Sequence, residues 1–261
     1  MNKKIVILTI PGIGSKKAGY SEDFKEDVLR FTNNTVRKNL QFIETLPFKE
    51  TGVDQHQKDL FYRLKAKNNL GGILSLRKIV IEAFGDAVTF ERNADAPDSN
   101  YRKIHSYLRT QFEQANALLN PGDIFVILAA SMGVQVLSTY IWDADKGRGI
   151  FGDGNTAKPN QNLENLDYLA TIGCNIPLFV SGSPEKEIVA FKKRNDHFTW
   201  DNFYDKDDVL GWPLKQLSDS YGTLVEDHEI NTGIYVGAHV KYWDDNDFTM
   251  PFSEKLNQLY G

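Results

Sequence analysis

The strongest signals along the chain are short, uninterrupted runs of apolar, often β-branched residues. Four such runs occupy residues 5–10, 123–129, 167–172 and 177–181, and two weaker ones occupy residues 200–204 and 233–236. A continuous apolar run of this length is typical of a parallel strand that other elements cover on both faces. The pattern therefore predicts a buried, mainly parallel β-sheet.

Amphipathic segments that predict helices lie between these runs. Ser21 can cap a helix whose first turn carries Glu22 and Asp23. Residues 100–119 place apolar side chains every three or four positions before an Asn-Pro-Gly stop signal. Residues 132–142 predict a further helix, which directly follows the strand at 123–129. The alternation of strands and helices predicts an α/β fold with helices on both faces of the sheet.

We interpret residues 1–261 as a single domain that contains one long polar loop. Residues 143–162 are rich in glycine, asparagine, aspartate and lysine, which favours an exposed loop. Loops of this length in compact domains are often lids or binding loops, or are simply mobile.

Composition and charge narrow the functional classes. The formal net charge of -5 argues against a globally basic nucleic-acid binder. No segment approaches the ~20 apolar residues of a membrane span, and the single cysteine, Cys174, cannot form an internal disulfide. The first apolar run is broken by Pro11 and Gly12 with no small-residue cleavage site after it, so a strand explains it better than a signal peptide. We therefore expect a soluble, cytoplasmic protein.

A candidate nucleophile stands where the strand at 123–129 meets the following helix. Ser131 lies in the segment Ala-Ala-Ser-Met-Gly, with Ala129 two residues before it and Gly133 two residues after it. A strand-to-helix turn this sharp tolerates only small residues at those two positions, and it presents the serine hydroxyl at the edge of the sheet. The alternative reading is a serine that merely caps an ordinary strand–helix turn.

A glycine-containing loop, Pro11 to Gly14, directly follows the first strand. Small residues there let the backbone approach a ligand closely. The backbone N–H groups of Ile13 and Met132 could together hold a developing oxyanion. A dinucleotide-binding loop is the competing interpretation, and it fails because Lys17 occupies the third glycine position of that motif.

A serine nucleophile needs a general base. His239 is the best-placed candidate because it closely follows the last predicted strand. The other four histidines lie on a helix or in polar, charged stretches.

The orienting acid should follow the end of another strand, and residues 205–208 supply three aspartates after the strand predicted at 200–204. Asp205 is too close to the strand. Asp207 and Asp208 are both possible on their position alone. A calcium-binding loop that starts at Asp205 is disfavoured because Val209 would occupy a ligand position and the required glycine is missing.

These segments together resemble the α/β-hydrolase superfamily, whose nucleophile, acid and histidine occur in this chain order. The residues that carry the resemblance are PGIG at 11–14, AASMG at 129–133, FYDKDDVLGWPL at 203–214 and GAH at 237–239. The AASMG segment at 129–133 resembles the strand-to-helix turn that carries the nucleophile in some small bacterial lipases. The DDVLGWPL segment resembles the acid loop of lipase-like hydrolases, which favours Asp208 over Asp207. Two departures are Pro11, where a histidine is common, and Ala130, where many relatives also have histidine.

The resemblance implies a serine hydrolase that cleaves a carboxylic ester or related acyl bond of a small-molecule substrate. Ser131 would be the nucleophile, His239 the base and Asp208 the acid, and no metal or organic cofactor is implied. An acyltransferase with the same three residues and a non-catalytic protein that binds a ligand or partner are the alternatives.

Overall fold

The computed structural model describes residues 3–12, 17–53, 55, 59, 62, 96–152, 154–233 and 236–261, with the backbone alone at 236 and 237. Within this part, six strands form one sheet. They are β1 (Ile5–Ile10), β2 (Leu40–Glu44), β3 (Ile124–Ala130), β4 (Tyr168–Ile172), β5 (Thr199–Asp205) and β6 (Val225–Ile230). The strands are all parallel and follow the order β2-β1-β3-β4-β5-β6. The prediction of an α/β fold with a mainly parallel sheet and helices on both faces is confirmed.

Helices connect the strands of the described part. The α-helices are α1 (Glu22–Phe31), α2 (Asn34–Arg37), α3 (Pro47–Glu50), α4 (Asn100–Ala117), α5 (Met132–Lys146), α6 (Ile176–Val180), α7 (Asp219–Leu224), α8 (Val236–Lys241) and α9 (Asn246–Tyr260). Short 3₁₀ helices span Gly149–Phe151, Glu185–Glu187 and Tyr242–Asp244. Among these described helices, none combines the length and the apolar character that crossing a membrane would require.

Both faces of the sheet are covered, as the continuous apolar runs predict. Every residue of β1, β3 and β4 is buried. Successive side chains of a strand point to opposite faces, so Leu8 of β1 joins a core shared with α4 and α5, whereas Ile7 joins a core shared with α1 and α9. Full burial of one such aliphatic side chain contributes about 1.5–3 kcal/mol.

The prediction of a strand at residues 177–181 is wrong, because this run forms helix α6. Pro177 lies in the first turn of that helix, where its missing N–H and fixed backbone angle are well tolerated. Leu178 is 37% exposed. The run is therefore apolar without being enclosed on two sides.

The prediction for the last strand is also wrong. At the described ends of the 233–236 segment, Gly233 lies outside any strand and Val236 begins α8. Residues 234 and 235 lie outside the described part of the chain. Among the residues that are described, the last strand is β6, whose sequence Val-Glu-Asp-His-Glu-Ile carries little apolar signal. Strands β2 and β6 form the two edges of the sheet and are only partly buried, so neither shows the continuous apolar run of a central strand.

The polar loop begins later than the pattern at 143–162 suggests. Helix α5 continues through Lys146 and ends at Gly147, which has φ 63° and occupies the left-handed conformation that commonly ends helices. Residues 143–146 therefore belong to the helix that follows β3.

Candidate active site

The candidate site lies at the carboxyl edge of the sheet, between the ends of β1 and β3. These two strands are neighbours in the sheet. The strand that follows β1 along the chain, β2, lies on one side of this pair, and the strand that follows β3, β4, lies on the other side. In open α/β sheets, ligands bind at such a point of reversed strand order. Gly12 follows β1 and Ser131 follows β3, so both predicted segments meet at this position.

Ser131 has an unusual backbone conformation, with φ 49° and ψ −124°. Non-glycine residues rarely adopt positive φ, and such strain costs roughly 1–3 kcal/mol. Its side chain makes no capping hydrogen bond to α5, although Ser131 directly precedes that helix. The reading of Ser131 as an ordinary helix cap is therefore wrong, and its hydroxyl group is directed elsewhere.

Two glycines allow the end of β1 to approach this turn closely. A Cβ atom at Gly12 would overlap the Cβ atom of Ser131, and one at Gly133 would lie 2.7 Å from the carbonyl oxygen of Pro11. Real Cβ atoms do not come so near to backbone oxygens. The small residue two positions after Ser131 is thus required by its contact with the loop after β1.

The hydroxyl of Ser131 begins a chain of hydrogen bonds. Its Oγ lies 2.8 Å from Nε2 of His239, and Nδ1 of the same imidazole lies 2.8 Å from Oδ2 of Asp208. An ionised carboxylate only accepts hydrogen bonds, so Nδ1 carries the proton and Nε2 accepts from the serine. The Asp208 side chain is fully buried and that of His239 is 9% exposed, which limits competition from water.

The structure distinguishes the two candidate acids. Asp208 accepts from the backbone N–H of Leu210 at Oδ1, over 2.9 Å, and from the hydroxyl of Tyr242 at Oδ2, over 2.9 Å. Asp207 is exposed, and its backbone N–H donates to Oδ1 of Asp205. Asp208 is thus the carboxylate that His239 contacts.

Asp205, which ends β5, secures the segment that carries His239. Its Oδ2 accepts from the backbone N–H of Thr232 over 2.6 Å and from the threonine hydroxyl over 3.1 Å. That hydroxyl also lies 3.0 Å from the carbonyl oxygen of Ala238, the residue before His239. Burial of the Asp205 carboxyl opposes ionisation, but hydrogen bonds from the backbone of Asp207 and Thr232 outweigh it and lower the pKa of Asp205.

Of the two predicted oxyanion donors, Met132 lies among the described residues. Met132 is the first residue of α5 and is buried beside Ser131. Backbone N–H groups in the first turn of a helix have no acceptor within the helix, so this one is available to a ligand. Ile13 lies outside the described residues, and its role stays a prediction.

Sequence reasoning missed three residues that surround Asp208 and His239. A Cβ atom at Gly211 would overlap Oδ2 of Asp208, and one at Gly173 would lie 3.2 Å from Cε1 of His239. The third residue is Tyr242. Two features of the sequence were available as signals, since Gly173 directly follows a predicted strand and Tyr242 follows His239 by three residues.

The other described histidines are not bonded to Ser131. His105 is fully buried between α4 and α5, where burial lowers its pKa to about 3 and its Nε2 lies 3.2 Å from the carbonyl oxygen of Val136. His228 contacts Asp201, and His197 is exposed. His56 lies outside the described residues.

Two further features of the described residues concern the thiol of Cys174 and the side chains that could bind a metal ion. Cys174 is buried, and burial raises the pKa of its thiol, which disfavours a thiolate nucleophile. Across the described positions, no three His, Cys, Asp or Glu side chains converge as ligands for a metal ion.

The sequence matches no protein-family model and no curated protein. Among solved structures, the fold is similar to that of a novel cutinase-like protein from Cryptococcus sp., with a TM-score of 0.44 and 9% sequence identity. The superposition covers 99% of this chain and 96% of that protein.

Proposed function

We propose that this chain is a serine hydrolase that cleaves a carboxylic ester or related acyl bond, with Ser131 as nucleophile, His239 as general base and Asp208 as orienting acid. The observation that carries this proposal is the continuous hydrogen-bond chain from Ser131 Oγ through the imidazole of His239 to Asp208, with 2.8 Å at each step. A serine hydroxyl is a weak nucleophile until an adjacent base accepts its proton.

In the first half-reaction, Oγ of Ser131 attacks the acyl carbonyl carbon while Nε2 of His239 takes the hydroxyl proton. The tetrahedral intermediate then collapses, the bond to the leaving group breaks, and His239 returns the proton to the leaving alcohol. The serine is left as an ester of the acyl group. Asp208 holds the imidazole in the required tautomer and stabilises the imidazolium.

In the second half-reaction, His239 takes a proton from a water molecule that attacks the acyl-enzyme. Collapse of this second intermediate releases the carboxylic acid and returns the proton to Ser131. The same base therefore serves both halves, and no external reactant besides water is consumed.

The backbone N–H groups of Met132 and Ile13 are the proposed donors to the oxyanion of both intermediates. One such donor is typically worth about 3 kcal/mol in the transition state. The position of Met132 supports its part, because its N–H group opens a helix that directly follows the nucleophile.

The proposal is tested with a fluorophosphonate probe, followed by mapping of the labelled peptide. Labelling is expected at Ser131 and not in a Ser131→Ala variant. Ser138→Ala is the matched control, because Ser138 is a buried serine two helical turns further along α5 and should leave labelling intact.

Hydrolysis of p-nitrophenyl esters of increasing acyl length then identifies the preferred substrate. Folded wild-type protein that neither reacts with the probe nor hydrolyses any ester would contradict the proposal. Transfer of the acyl group to an added alcohol or amine in preference to water would instead indicate an acyltransferase.

A further inference from the structure

The hydroxyl group of Tyr242 is buried between Asp205, the last residue of β5, and Asp208, which lies in the loop that follows. It accepts a hydrogen bond from the backbone N–H of Asp205 over 2.9 Å and lies 2.9 Å from Oδ2 of Asp208. The tyrosine is only 1% exposed. This hydroxyl therefore connects the end of β5 to the proposed acid.

The direction of these hydrogen bonds follows from the groups involved. A backbone N–H can only donate, so the Tyr242 oxygen accepts from Asp205. A carboxylate can only accept, so the hydroxyl proton points to Asp208. Burial raises the pKa of Tyr242 well above its usual range, and the charge of Asp208 raises it further, so the proton stays on the tyrosine.

Tyr242 and His239 donate to the same atom. Oδ2 of Asp208 receives both the imidazole Nδ1–H and the tyrosine hydroxyl, while Oδ1 receives the backbone N–H of Leu210. Three donors from two different segments thus define the plane of the carboxylate. If the tyrosine hydroxyl is removed from this set of contacts, the imidazole and the backbone N–H of Leu210 are the two donors left to the Asp208 carboxylate.

We propose that Tyr242 is a positioning residue, which holds Asp208 in the orientation that fixes the tautomer and direction of the His239 imidazole. This inference rests on the proposed function, since it assigns the tyrosine an effect on the proposed base. Spacing contributes as well, because His239 and Tyr242 are three residues apart and one short stretch of chain delivers both donors to Oδ2.

The test compares Tyr242→Phe with Tyr140→Phe. Both variants remove a buried tyrosine hydroxyl with little change in volume, but that of Tyr140 donates to the carbonyl oxygen of Gln161. For Tyr242→Phe we expect kcat for ester hydrolysis to fall about tenfold, as for the loss of one hydrogen bond to a charged group, with KM within about twofold. Tyr140→Phe should leave both constants near those of the wild type, once circular dichroism shows that each variant is folded.

A spectroscopic measurement separates this inference from the proposed function. The Nδ1–H proton of His239, observed by NMR with ¹⁵N-labelled histidine, reports its hydrogen bond to Asp208 whether or not the protein has turnover. In Tyr242→Phe this resonance should shift and broaden through faster exchange with water, and it should be unchanged in Tyr140→Phe.

The outcomes are distinct. An unreactive wild type in which the resonance still responds to Tyr242→Phe would contradict the proposed function while supporting the positioning role. An unchanged resonance together with unchanged kcat in Tyr242→Phe would overturn the positioning role. If Tyr242→Phe does not fold, the same NMR experiment is made on the wild type. The Tyr242 hydroxyl proton and the Nδ1–H proton of His239 should then show a nuclear Overhauser cross-peak, because both point at Oδ2 of Asp208. Absence of that cross-peak would overturn the inference.

Discussion

Oγ of Ser131 lies 2.8 Å from Nε2 of His239, although 108 residues separate the two positions along the chain. The serine comes from the sharp turn after β3, and the histidine comes from a short helix after the last strand of the sheet. Parallel strands bring these segments together because all of their carboxyl ends lie at one edge.

Replacement of the serine should abolish turnover without loss of the fold. In Ser131→Ala we expect kcat for ester hydrolysis to fall by at least about a thousandfold, because the attacking oxygen is removed. His239→Ala should cause a loss of similar size, and the double variant should be little worse than either single one, since the two groups act as a unit. Steady-state kinetics with a p-nitrophenyl ester measure this. Activity near the wild-type level in Ser131→Ala would exclude this serine as the nucleophile.

The two adjacent aspartates should behave very differently when each is changed to asparagine. Asp208→Asn keeps the size of the side chain but favours the wrong imidazole tautomer, and kcat should fall by roughly 10⁴. Asp207→Asn should change kcat less than about twofold, because its side chain is exposed and outside the hydrogen-bond chain. Both rates are measured on protein whose unfolding midpoint has been determined. Small and equal losses would show that the acid comes from another loop.

A methyl group at Gly211 should disturb the acid directly. A Cβ atom there would overlap Oδ2 of Asp208, so Gly211→Ala should lower kcat and reduce the free energy of unfolding by about 1–3 kcal/mol through overpacking. Gly182→Ala is the matched control, because a Cβ atom at Gly182 meets no atom within 4 Å. Kinetics and urea unfolding of both variants provide the comparison. Equal behaviour of the two variants would contradict the close approach at Gly211.

The Asp205 carboxylate should stabilise the fold in a pH-dependent way. Its pKa is lowered in the folded protein, so its contribution is present above the unfolded pKa of about 3.9 and is lost as the pH falls through the folded pKa. In Asp205→Asn we expect a loss of about 2 kcal/mol at pH 7, because the amide cannot accept all of the N–H and hydroxyl donors from Asp207 and Thr232. The difference from the wild type should shrink below about pH 4.

Urea unfolding at pH 7 and at pH 3 tests this prediction. Asp207→Asn is the control, since it removes an exposed carboxylate two residues away. A cost of Asp205→Asn that is the same at both pH values would show that the ionised carboxylate is not the stabilising form.

The central strands of the sheet could be predicted from the amino-acid pattern alone. Strands β1, β3 and β4 are buried on both faces, so nearly every residue in them must be apolar, and the pattern is visible without any partner element. The candidate nucleophile was visible for a similar local reason. The turn at Ser131 tolerates only small residues two positions before and two positions after the serine, so the pattern can be recognised from five consecutive residues.

The edges of the sheet and the contacts among the side chains of the site depend on tertiary packing. The edge strands are half-exposed, so their sequences carry no continuous apolar run. The apolar run at 177–181 forms a helix, and a short apolar run does not by itself distinguish a strand from a helix. Asp207 and Asp208 are chemically identical neighbours, and which of them meets His239 depends on how a loop folds against a segment about thirty residues away. The roles of Gly211 and Tyr242 depend on close contacts between distant segments, which spacing along the chain does not encode.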